Sequence, residues 1–395
     1  MMSTQQQQLH DLLQQYEAEM IALRRDFHAN PELSFEEVET PKKIAAFHRA
    51  LGHDVREHVG GNGVVATLVG AKPGKTVALR ADFDALAITE ETNLPFQSKF
   101  KGRMHACGHD GHTATLLTLA KALNRMRDEL EGTIVFIHQH AEEIAPGGAK
   151  AMIEDGCLEG VDVIFGTHLW APLPLGNIYT APGPVMAAAD GIYITMKGKG
   201  GHGSNPTDTK DAVLIASQFI VNLQQLVSRR VNPLQPAVVS VGHIEALNPF
   251  NVIADQVKLK GTVRTFDEEA RQLLEKEIEK LLQATCAFMD ADYDYQFIRG
   301  YPAVVNHPNE TLHVEQAIAK LDDITFERCE PQMGGEDFAY YLQHVPGNFF
   351  FTGAQNPEWE ETYPHHHPKF DFDERAMMIA AKVLGQATLD YLSKS

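Results

Sequence analysis

The spacing of apolar residues over the first 180 positions switches repeatedly between that of a helix and that of a buried strand. Apolar positions at helical spacing predict helices at 9–26, 40–52, 113–126 and 148–155. Short, continuously apolar runs predict strands at 64–69, 76–82, 133–138 and 162–168. Helices and strands that alternate in this way are typical of an α/β layer built on a mostly parallel sheet.

Beyond residue 181 the pattern changes, because polar and apolar residues now alternate as in a strand with one solvated face. The predicted elements are a strand at 191–198, a helix at 211–227, strands at 237–244 and 256–265, a helix at 268–289 and a strand at 292–299. The order β-α-β-β-α-β is typical of a small α+β domain. Helices at 309–320 and 373–392 resume the first pattern. We therefore predict an α/β domain formed by 1–186 and 300–395, with an α+β domain inserted at 187–299.

Length, composition and charge narrow the class of protein. A chain of 395 residues is longer than one compact core usually needs, and 44% hydrophobic with 22% charged residues is typical of a globular protein. Its 34 Lys and Arg against 53 Asp and Glu give a net charge of -19. Nucleic acids and anionic membranes bind basic surfaces, so neither is expected as a partner.

The sequence also bears on the cellular compartment. The first residues contain no basic segment followed by an apolar one, and no apolar run reaches the roughly 20 residues that span a membrane. The cysteines at 107, 157, 286 and 329 are scattered, as reduced thiols are. We expect a cytoplasmic protein.

One short segment, 104–112, concentrates groups that bind metals. Its sequence MHACGHDGH contains a thiol, three imidazoles and a carboxylate. Cysteine and histidine are ligands of zinc-like ions, and the glycines allow neighbouring side chains to converge. The segment is therefore predicted to supply part of a metal site.

Further donor groups follow the predicted strands at their carboxyl ends. These groups are Asp82 and Asp84, Glu142 and Glu143, and His168. In open parallel sheets this edge binds ligands. The triplet His365–His367, in a turn between Pro364 and Pro368, is a further donor group. Soft and hard donors at more than four positions predict two divalent ions rather than one.

Each of these groups also has an ordinary structural interpretation. Cys107 alone would most often be a small buried apolar residue, and adjacent glutamates or histidines often lie on a solvated surface. The convergence of distant groups on one edge favours ligands. It also leaves one glutamate of the pair free to take a proton from water activated by metal, which indicates hydrolysis of an amide or ester.

Eight motifs, in order along the chain, resemble those of a known family. They are Cys107–His112, Ala141–Glu143, Gly166–His168, Gly200–Gly203, Asn251–Ile253, Gly261–Arg264, Gly334–Phe338 and His366–Phe370. Through them the chain resembles, over essentially its whole length, the amidohydrolase branch of the aminoacylase/carboxypeptidase-type dinuclear metallopeptidases, which includes hippurate hydrolases and indole-acetyl-amino-acid hydrolases. The resemblance implies that the α/β domain is a metallopeptidase catalytic domain and that the inserted domain is a lid through which subunits dimerise.

The resemblance also implies roles for individual residues. The metal ligands would be Cys107, His109, Glu143, His168 and His366, with His365 as the alternative to His366. Glu142 would be the general base, and Asp84 would support the metal-site histidine. The residues implied to contact substrate are His202, Asn251, Arg264 and Gly335, of which His202 would reach the active site of the partner subunit.

The implied reaction is hydrolysis of an N-acyl amino acid with two divalent ions per subunit (Mn, Zn, Co or Ni) in a homodimer or a dimer of dimers. Three features depart from the family pattern: His140 before the glutamate pair, Ala254 in place of a proline, and a glycine-free stretch at 245–250. The last two lie near the implied substrate face and concern substrate identity. For His140 a structural role is favoured over an outer-shell role.

Several alternatives stay open at this point. The enzyme could act on N-acetyl-diaminopimelate-type substrates or on small peptides as a carboxypeptidase. Cys107 could be a nucleophile with His109 or His112 as its base. The chain could also be a metal-binding relative without catalytic activity, although the presence of Glu142 beside a full ligand set argues against this.

Overall fold

The structure is a computed structural model that describes residues 4–393. Its α-helices are α1 (Thr4–Ala29), α2 (Glu39–Ala50), α3 (His109–Arg125), α4 (Ala149–Glu154), α5 (Ala212–Arg229), α6 (Glu268–Phe288), α7 (Pro308–Ile318), α8 (Phe338–Leu342) and α9 (Arg375–Leu392). Its strands are β1 (Asp54–Val59), β2 (Gly63–Val69), β3 (Lys72–Asp82), β4 (Glu131–Gln139), β5 (Val163–Pro174), β6 (Asn177–Thr180), β7 (Gly183–Met186), β8 (Ala188–Lys197), β9 (Gly201–His202), β10 (Ala237–Glu245), β11 (Val252–Ile253), β12 (Gln256–Thr265), β13 (Asp292–Ile298), β14 (Val304–Asn306), β15 (Thr325–Arg328) and β16 (Gly347–Gln355).

The chain divides into two compact units. Unit 1 contains residues 4–185, 305–330 and 337–393 of the described chain, and unit 2 contains 186–304 and 331–336. The hydrophobic pattern of the sequence does not indicate that the segment 331–336 belongs to unit 2. The domain boundaries that we predicted from sequence stay a prediction.

Unit 1 is built on a mixed sheet with parallel strands at its centre. Over residues 4–393 this sheet has eight strands in the order β1-β2-β4-β3-β5-β16-β6-β15. β3 runs parallel to both β4 and β5, and β5 runs parallel to β16. The prediction of a mostly parallel α/β sheet is confirmed. Because these strands point the same way, the residues that follow β3 and β4 lie at one edge, beside His168 in the middle of β5, which continues to Pro174 rather than ending at His168 as predicted.

Strand β16 is a central strand to which the sequence analysis assigned no element. Its residues Phe349, Phe350 and Phe351 are almost completely buried, because both faces of the sheet are covered at this point. A run of three apolar residues has no periodicity that distinguishes a strand from a loop, so only its pairing with β5 identifies it.

Helices α1, α3 and α9 pack together in the main core of unit 1. Most of the α3 side chains are buried, which explains why its sequence is apolar on nearly all sides. Gly385 of α9 allows a close approach, since a Cβ atom there would lie 2.6 Å from Leu9 Cδ2 of α1. None of the described helices combines the length and apolarity needed to cross a bilayer.

Unit 2 has an antiparallel sheet in the order β10-β12-β8-β13 within the described residues, with α5 and α6 packed against it. Ile192, Ile194 and Met196 of β8 are buried, while Tyr193 between them is exposed. This alternation confirms the predicted strand with one solvated face. The order of β8, α5, β10, β12, α6 and β13 along the chain confirms the predicted β-α-β-β-α-β order. Ala254, one of the three departures named in the sequence analysis, is buried in this core.

Three buried histidines of unit 1 form a hydrogen-bonded chain. His48 Nδ1 lies 2.9 Å from His53 Nδ1, and His48 Nε2 lies 2.9 Å from His138 Nε2. Burial lowers the pKa of His48, and the neighbouring imidazoles lower it further. Burial also lowers the pKa of His53 to about 4 and that of His138 to about 3. All three are therefore neutral in the folded protein at neutral pH.

We expect these histidines to destabilise the protein in acid. In the unfolded chain these histidines titrate near pH 6.5, whereas in the folded protein they stay neutral to a lower pH. Because the unfolded state therefore binds more protons, the free energy of unfolding falls as the pH drops below about 6.5. Replacing His53 with glutamine should reduce the slope of unfolding free energy against pH by up to about 1.4 kcal/mol per unit. Denaturant unfolding between pH 7.5 and 4.5 measures it.

The control for this experiment is His344→Gln, because His344 is an exposed histidine of the same unit. It should leave the slope unchanged. Equal slopes for the wild type and His53→Gln would contradict the prediction.

Candidate metal centre

The donor groups predicted from sequence meet at one edge of the unit 1 sheet. Within each of three groups, the ligand atoms all lie within 4.8 Å of one another: Cys107 with Glu143 and His366, Cys107 with His168 and His365, and His109 with Glu142 and Glu143. The structure therefore brings together all five predicted metal ligands and the predicted base. Because Cys107 and Glu143 each belong to two groups, the three groups form one continuous cluster.

The backbone around Cys107 and His366 explains how two distant segments meet. Gly108 has φ of 92°, a conformation that favours glycine, and it precedes the first turn of α3, where His109 stands. The N–H of His366 donates to the carbonyl of Ala106 at 2.8 Å, which docks the histidine triplet against the Cys107 segment. His366 itself has φ of 65°, and such strain in a residue other than glycine often marks functional sites.

His109 is hydrogen-bonded to the carboxylate of Asp84, which is in turn hydrogen-bonded to Ser34. Its Nδ1 lies 3.1 Å from Oδ1 of the buried Asp84, and the hydroxyl of Ser34 donates to Asp84 Oδ2 at 2.6 Å. Burial lowers the pKa of His109, but Asp82 and then Asp84 outweigh burial and raise it to about 10. Burial raises the pKa of Asp84, yet the hydrogen bond with His109 leaves it below the ordinary value. This supporting arrangement leaves His109 Nε2 facing the cluster.

His112 and Asp82 form a second hydrogen-bonded pair beside the ligand cluster. His112 Nε2 accepts from the N–H of Leu169 at 2.9 Å, so its Nδ1 carries the proton and donates to Asp82 Oδ1 at 2.6 Å. Arg80 donates to Asp82 and to Asp337, and both carboxylates are buried. The network joins the end of β3 to the middle of β5 beside the ligands.

His365 and His366 occupy different environments. His365 Nε2 accepts from the N–H of Ala171 at 3.2 Å, and its ring packs 4.6 Å from that of Trp170. His366 Nε2 instead lies 3.3 Å from Glu143 Oε1, and its side chain is 52% exposed. One ring nitrogen of His365 is therefore already engaged, whereas His366 faces a carboxylate.

The donor atoms fit a bound metal. His109 Nε2 and Glu143 Oε1 lie 3.8 Å apart, and within residues 4–393 these two buried atoms form no hydrogen bond. Burial raises the pKa of Cys107 well above its usual range, and the nearby Glu143 and Glu142 raise it further, so the thiol is neutral unless a cation is bound. Burial lowers the pKa of His168, which keeps its imidazole neutral, as metal binding requires. Unpartnered buried donors of these types suit divalent ions such as zinc.

The residues implied to contact substrate lie in unit 2. His202 and Val252 are paired across the ribbon of β9 and β11, so the exposed Asn251 stands beside His202. The N–H of Ser204 donates to His202 Nδ1 at 3.2 Å, which leaves the proton of the ring on Nε2. Gly335 is needed for close packing, because a Cβ atom there would lie 2.8 Å from the Cβ of Ala189.

Arg264 of unit 2 is half-buried and forms hydrogen bonds to neutral groups. Its guanidinium donates to the carbonyls of Met333 and Val263 and to the hydroxyl of Thr262. Among the described residues the carboxylate of Asp190 acts on it electrostatically, but the ion pair of Asp190 is with Arg271. The roles of these four unit 2 residues stay predictions.

Sequence analysis did not identify Ser34, Gln139 or Asp337 as part of the site. Ser34 is 50 residues from Asp84, and Asp337 is 198 residues from Gln139, whose amide donates to it at 2.7 Å. A lone serine has no local pattern that marks it, and Asp337 lies in the Gly334–Phe338 motif but was assigned no role in the site. The order of the strands was the missing information.

Comparisons with known proteins agree with this geometry. The sequence profile of peptidase family M20/M25/M40 matches residues 78–390. The chain is 57% identical over 390 residues to YhaA of Bacillus subtilis strain 168, an amidohydrolase by name, with 98% of each chain covered. It is 42% identical to an N-acetylcysteine deacetylase of the same strain, with 94% of this chain and 96% of that one covered. The crystal structure of the YXEP protein of Bacillus subtilis, described as a dinuclear metal-binding peptidase of the M20 family, superposes with a TM-score of 0.84 at 38% identity, covering 97% of this chain and all of that one.

Proposed function

The chain belongs to peptidase family M20/M25/M40, and from this premise we propose that it hydrolyses the amide bond of N-acyl amino acids, releasing a carboxylate and a free amino acid. The observation that supports this most strongly is the ligand cluster with two adjacent glutamates. Five donors account for two divalent ions, and Glu142 is left for proton transfer.

In the proposed mechanism Cys107, His109, Glu143, His168 and His366 would hold the ions. Divalent ions in such sites polarise a carbonyl and lower the pKa of water. The Glu142 carboxylate takes a proton from the attacking water and passes it to the departing amine nitrogen. His202 carries its proton on Nε2 and, reaching the active site of the partner subunit, would donate it there in a hydrogen bond to the oxyanion that develops on the scissile carbonyl. Asp84 keeps His109 in the tautomer that exposes Nε2.

The proposed substrate class follows from Arg264 and from the relatives. A guanidinium whose hydrogen bonds go to neutral acceptors retains its attraction for a carboxylate, which its planar fork binds with two parallel hydrogen bonds. An N-acyl amino acid presents such a carboxylate next to the scissile amide. One relative is named for the deacetylation of N-acetylcysteine, a member of this class. Asn251 and Gly335 are proposed to contact the rest of the substrate.

The remaining properties are also proposals. The ions are Mn, Zn, Co or Ni, the subunits form a homodimer or a dimer of dimers through the inserted domain, and the protein acts in the cytoplasm. The cluster of a thiolate, imidazoles and carboxylates suits each of these ions, because it combines soft and hard donors.

The function is tested by a panel of N-acetyl, N-benzoyl and N-succinyl amino acids. The purified protein is stripped with a chelator and reconstituted separately with Mn, Zn, Co and Ni, and release of the free amino acid is measured. We expect turnover of at least one acyl-amino acid with at least one ion. The absence of turnover across the whole panel would overturn the proposed function. If small peptides assayed under the same conditions were then cleaved, the activity would be that of a carboxypeptidase.

Chelation distinguishes the metal mechanism from the cysteine-nucleophile alternative. We expect the chelator to reduce activity to background and added metal to restore it, because the buried Cys107 thiol is neutral without a cation and is a poor nucleophile. Alkylation of Cys107 should be slow both in the metal-loaded protein, where the metal would hold the sulfur, and in the stripped protein, where burial keeps the thiol neutral. Full activity in the chelator, abolished by alkylation, would support the nucleophile instead.

A further inference from the structure

The backbone on each side of Glu142 is hydrogen-bonded to a buried carboxylate. After Glu142, the N–H of Glu143 donates to Asp84 Oδ2 at 3.0 Å. Before it, the N–H of Ala141 donates to Glu37 Oε1 at 2.8 Å. Asp84 also forms a hydrogen bond with the proposed ligand His109, whereas the hydrogen bonds of Glu37 are with Ala141 and Asn62. The role of Glu37 therefore needs a separate explanation.

Ala141 has an unusual backbone conformation. Its φ is 50°, in the left-handed region that alanine rarely adopts, and the residue is fully buried. A strained residue persists only where its surroundings hold it, and here the Glu37 carboxylate binds its N–H while its carbonyl accepts from Gly148 at 3.1 Å. Since Ala141 directly precedes Glu142, its conformation sets the direction of the proposed base.

Glu37 is built into its place. Glu37 is only 2% exposed, and the side-chain amide of Asn62 donates to its Oε2 at 2.9 Å. In the same loop, Ser34 donates a hydrogen bond to Asp84, and the ring of Phe35 packs in a T-shaped arrangement with that of His140. A buried carboxylate is unfavourable unless it makes compensating contacts. Both oxygens of this one make such contacts, and one of them holds the segment that carries Glu142.

We propose that Glu37 is a positioning residue for the hydrolysis: it stabilises the left-handed conformation of Ala141 and thereby holds the Glu142 carboxylate beside His109 and Glu143. This inference rests on the proposed function, because it takes Glu142 as the base. Its consequence is that loss of the Glu37 acceptor lowers kcat while the bound metal and the substrate contacts stay in place.

The test compares variants of the metal-loaded protein. Glu37→Ala should lower kcat by about 30- to 100-fold, since small displacements of a reacting group cost up to about 100-fold, and KM should change by less than about threefold. Glu37→Gln keeps an oxygen that accepts from Ala141 and should retain kcat within about threefold. The metal content of each variant, measured by elemental analysis, should remain that of the wild type.

The matched control is Glu32→Ala. Glu32 belongs to the same loop and also binds backbone N–H groups, those of Val38, Glu39 and Thr40 at the start of α2, but it contacts no residue of the site. Its loss should lower stability and leave kcat unchanged. If Glu37→Ala behaves like Glu32→Ala, the proposal is wrong.

A second variant tests the left-handed residue itself. Glycine adopts positive φ without strain, so Ala141→Gly in the Glu37→Ala background should raise kcat several-fold above that of Glu37→Ala. Lack of recovery would overturn the proposed role of Ala141. An inactive Glu142→Gln beside an unaffected Glu37→Ala would reject this inference alone, whereas an active Glu142→Gln would reject the base assignment in the proposed function.

Discussion

Replacing Glu142 with glutamine is expected to lower kcat by about two to three orders of magnitude while both metal ions remain bound. Glutamine has the shape of glutamate but cannot accept a proton from water, and removal of a general base typically costs about 10²- to 10⁴-fold. The Glu142 carboxylate lies beside the ligand atoms of His109 and Glu143, and the substitution leaves those two donors unchanged. The measurement is kcat with the best substrate of the panel, with metal content determined on the same samples.

The neighbouring substitution Glu143→Gln is the control. Glu143 is a proposed ligand, so its loss should reduce metal content and be rescued in part by a higher metal concentration, unlike the loss of Glu142. If Glu142→Gln kept a tenth or more of wild-type kcat, Glu142 would not be the base. If it lost metal as Glu143→Gln does, its role would be that of a ligand.

Replacing Arg24 with alanine is expected to lower the free energy of unfolding by about 3–5 kcal/mol, the usual effect of removing one partner from a buried ion pair. The Arg24 guanidinium is 1% exposed and lies 2.9 Å from Asp110, 2.8 Å from Asp371 and 3.2 Å from Glu374. It also stacks on the ring of Phe372, 4.4 Å from its centroid. Its loss would leave the fully buried Asp110 with His28 as its other ionic partner.

Arg25 provides the control for this stability measurement. It is the next residue along α1 and bonds to the same Glu374, but its side chain is 47% exposed. Exposed ion pairs contribute about 0–1 kcal/mol, so Arg25→Ala should have a small effect. Denaturant unfolding of both variants at pH 7 measures the difference. Equal effects would show that burial of the Arg24 network does not contribute as expected.

The elements that could be predicted from the sequence are those with a clear periodicity. Helix α6 and strand β12 were predicted to within a residue, because each repeats its apolar positions over at least ten residues. Strand β16 has neither an alternation nor a continuous apolar run as long as those that predicted the other buried strands. The order of the strands also could not be predicted, because it depends on contacts between segments far apart in the chain.

The candidate site divides in the same way. The donor types and their positions at strand ends indicate metal-dependent hydrolysis from the sequence alone, and the family that the motifs resemble is confirmed by the comparisons. Ser34 and Glu37 had no signal, because a serine or glutamate in a loop is ordinary until it is seen beside Asp84 or Ala141. The difference between His365 and His366 likewise depends on which ring meets the backbone of β5.

By itself the sequence determined which atoms are available for chemistry and which segments carry them, because donor type and hydrophobic period are local properties. Only the tertiary structure decided how those atoms are held: which carboxylate orients His109, and which one supports the left-handed turn before Glu142. The physical reason is that a hydrogen bond between residues 104 positions apart, such as that of Glu37 with Ala141, exists only once the sheet and its loops are folded.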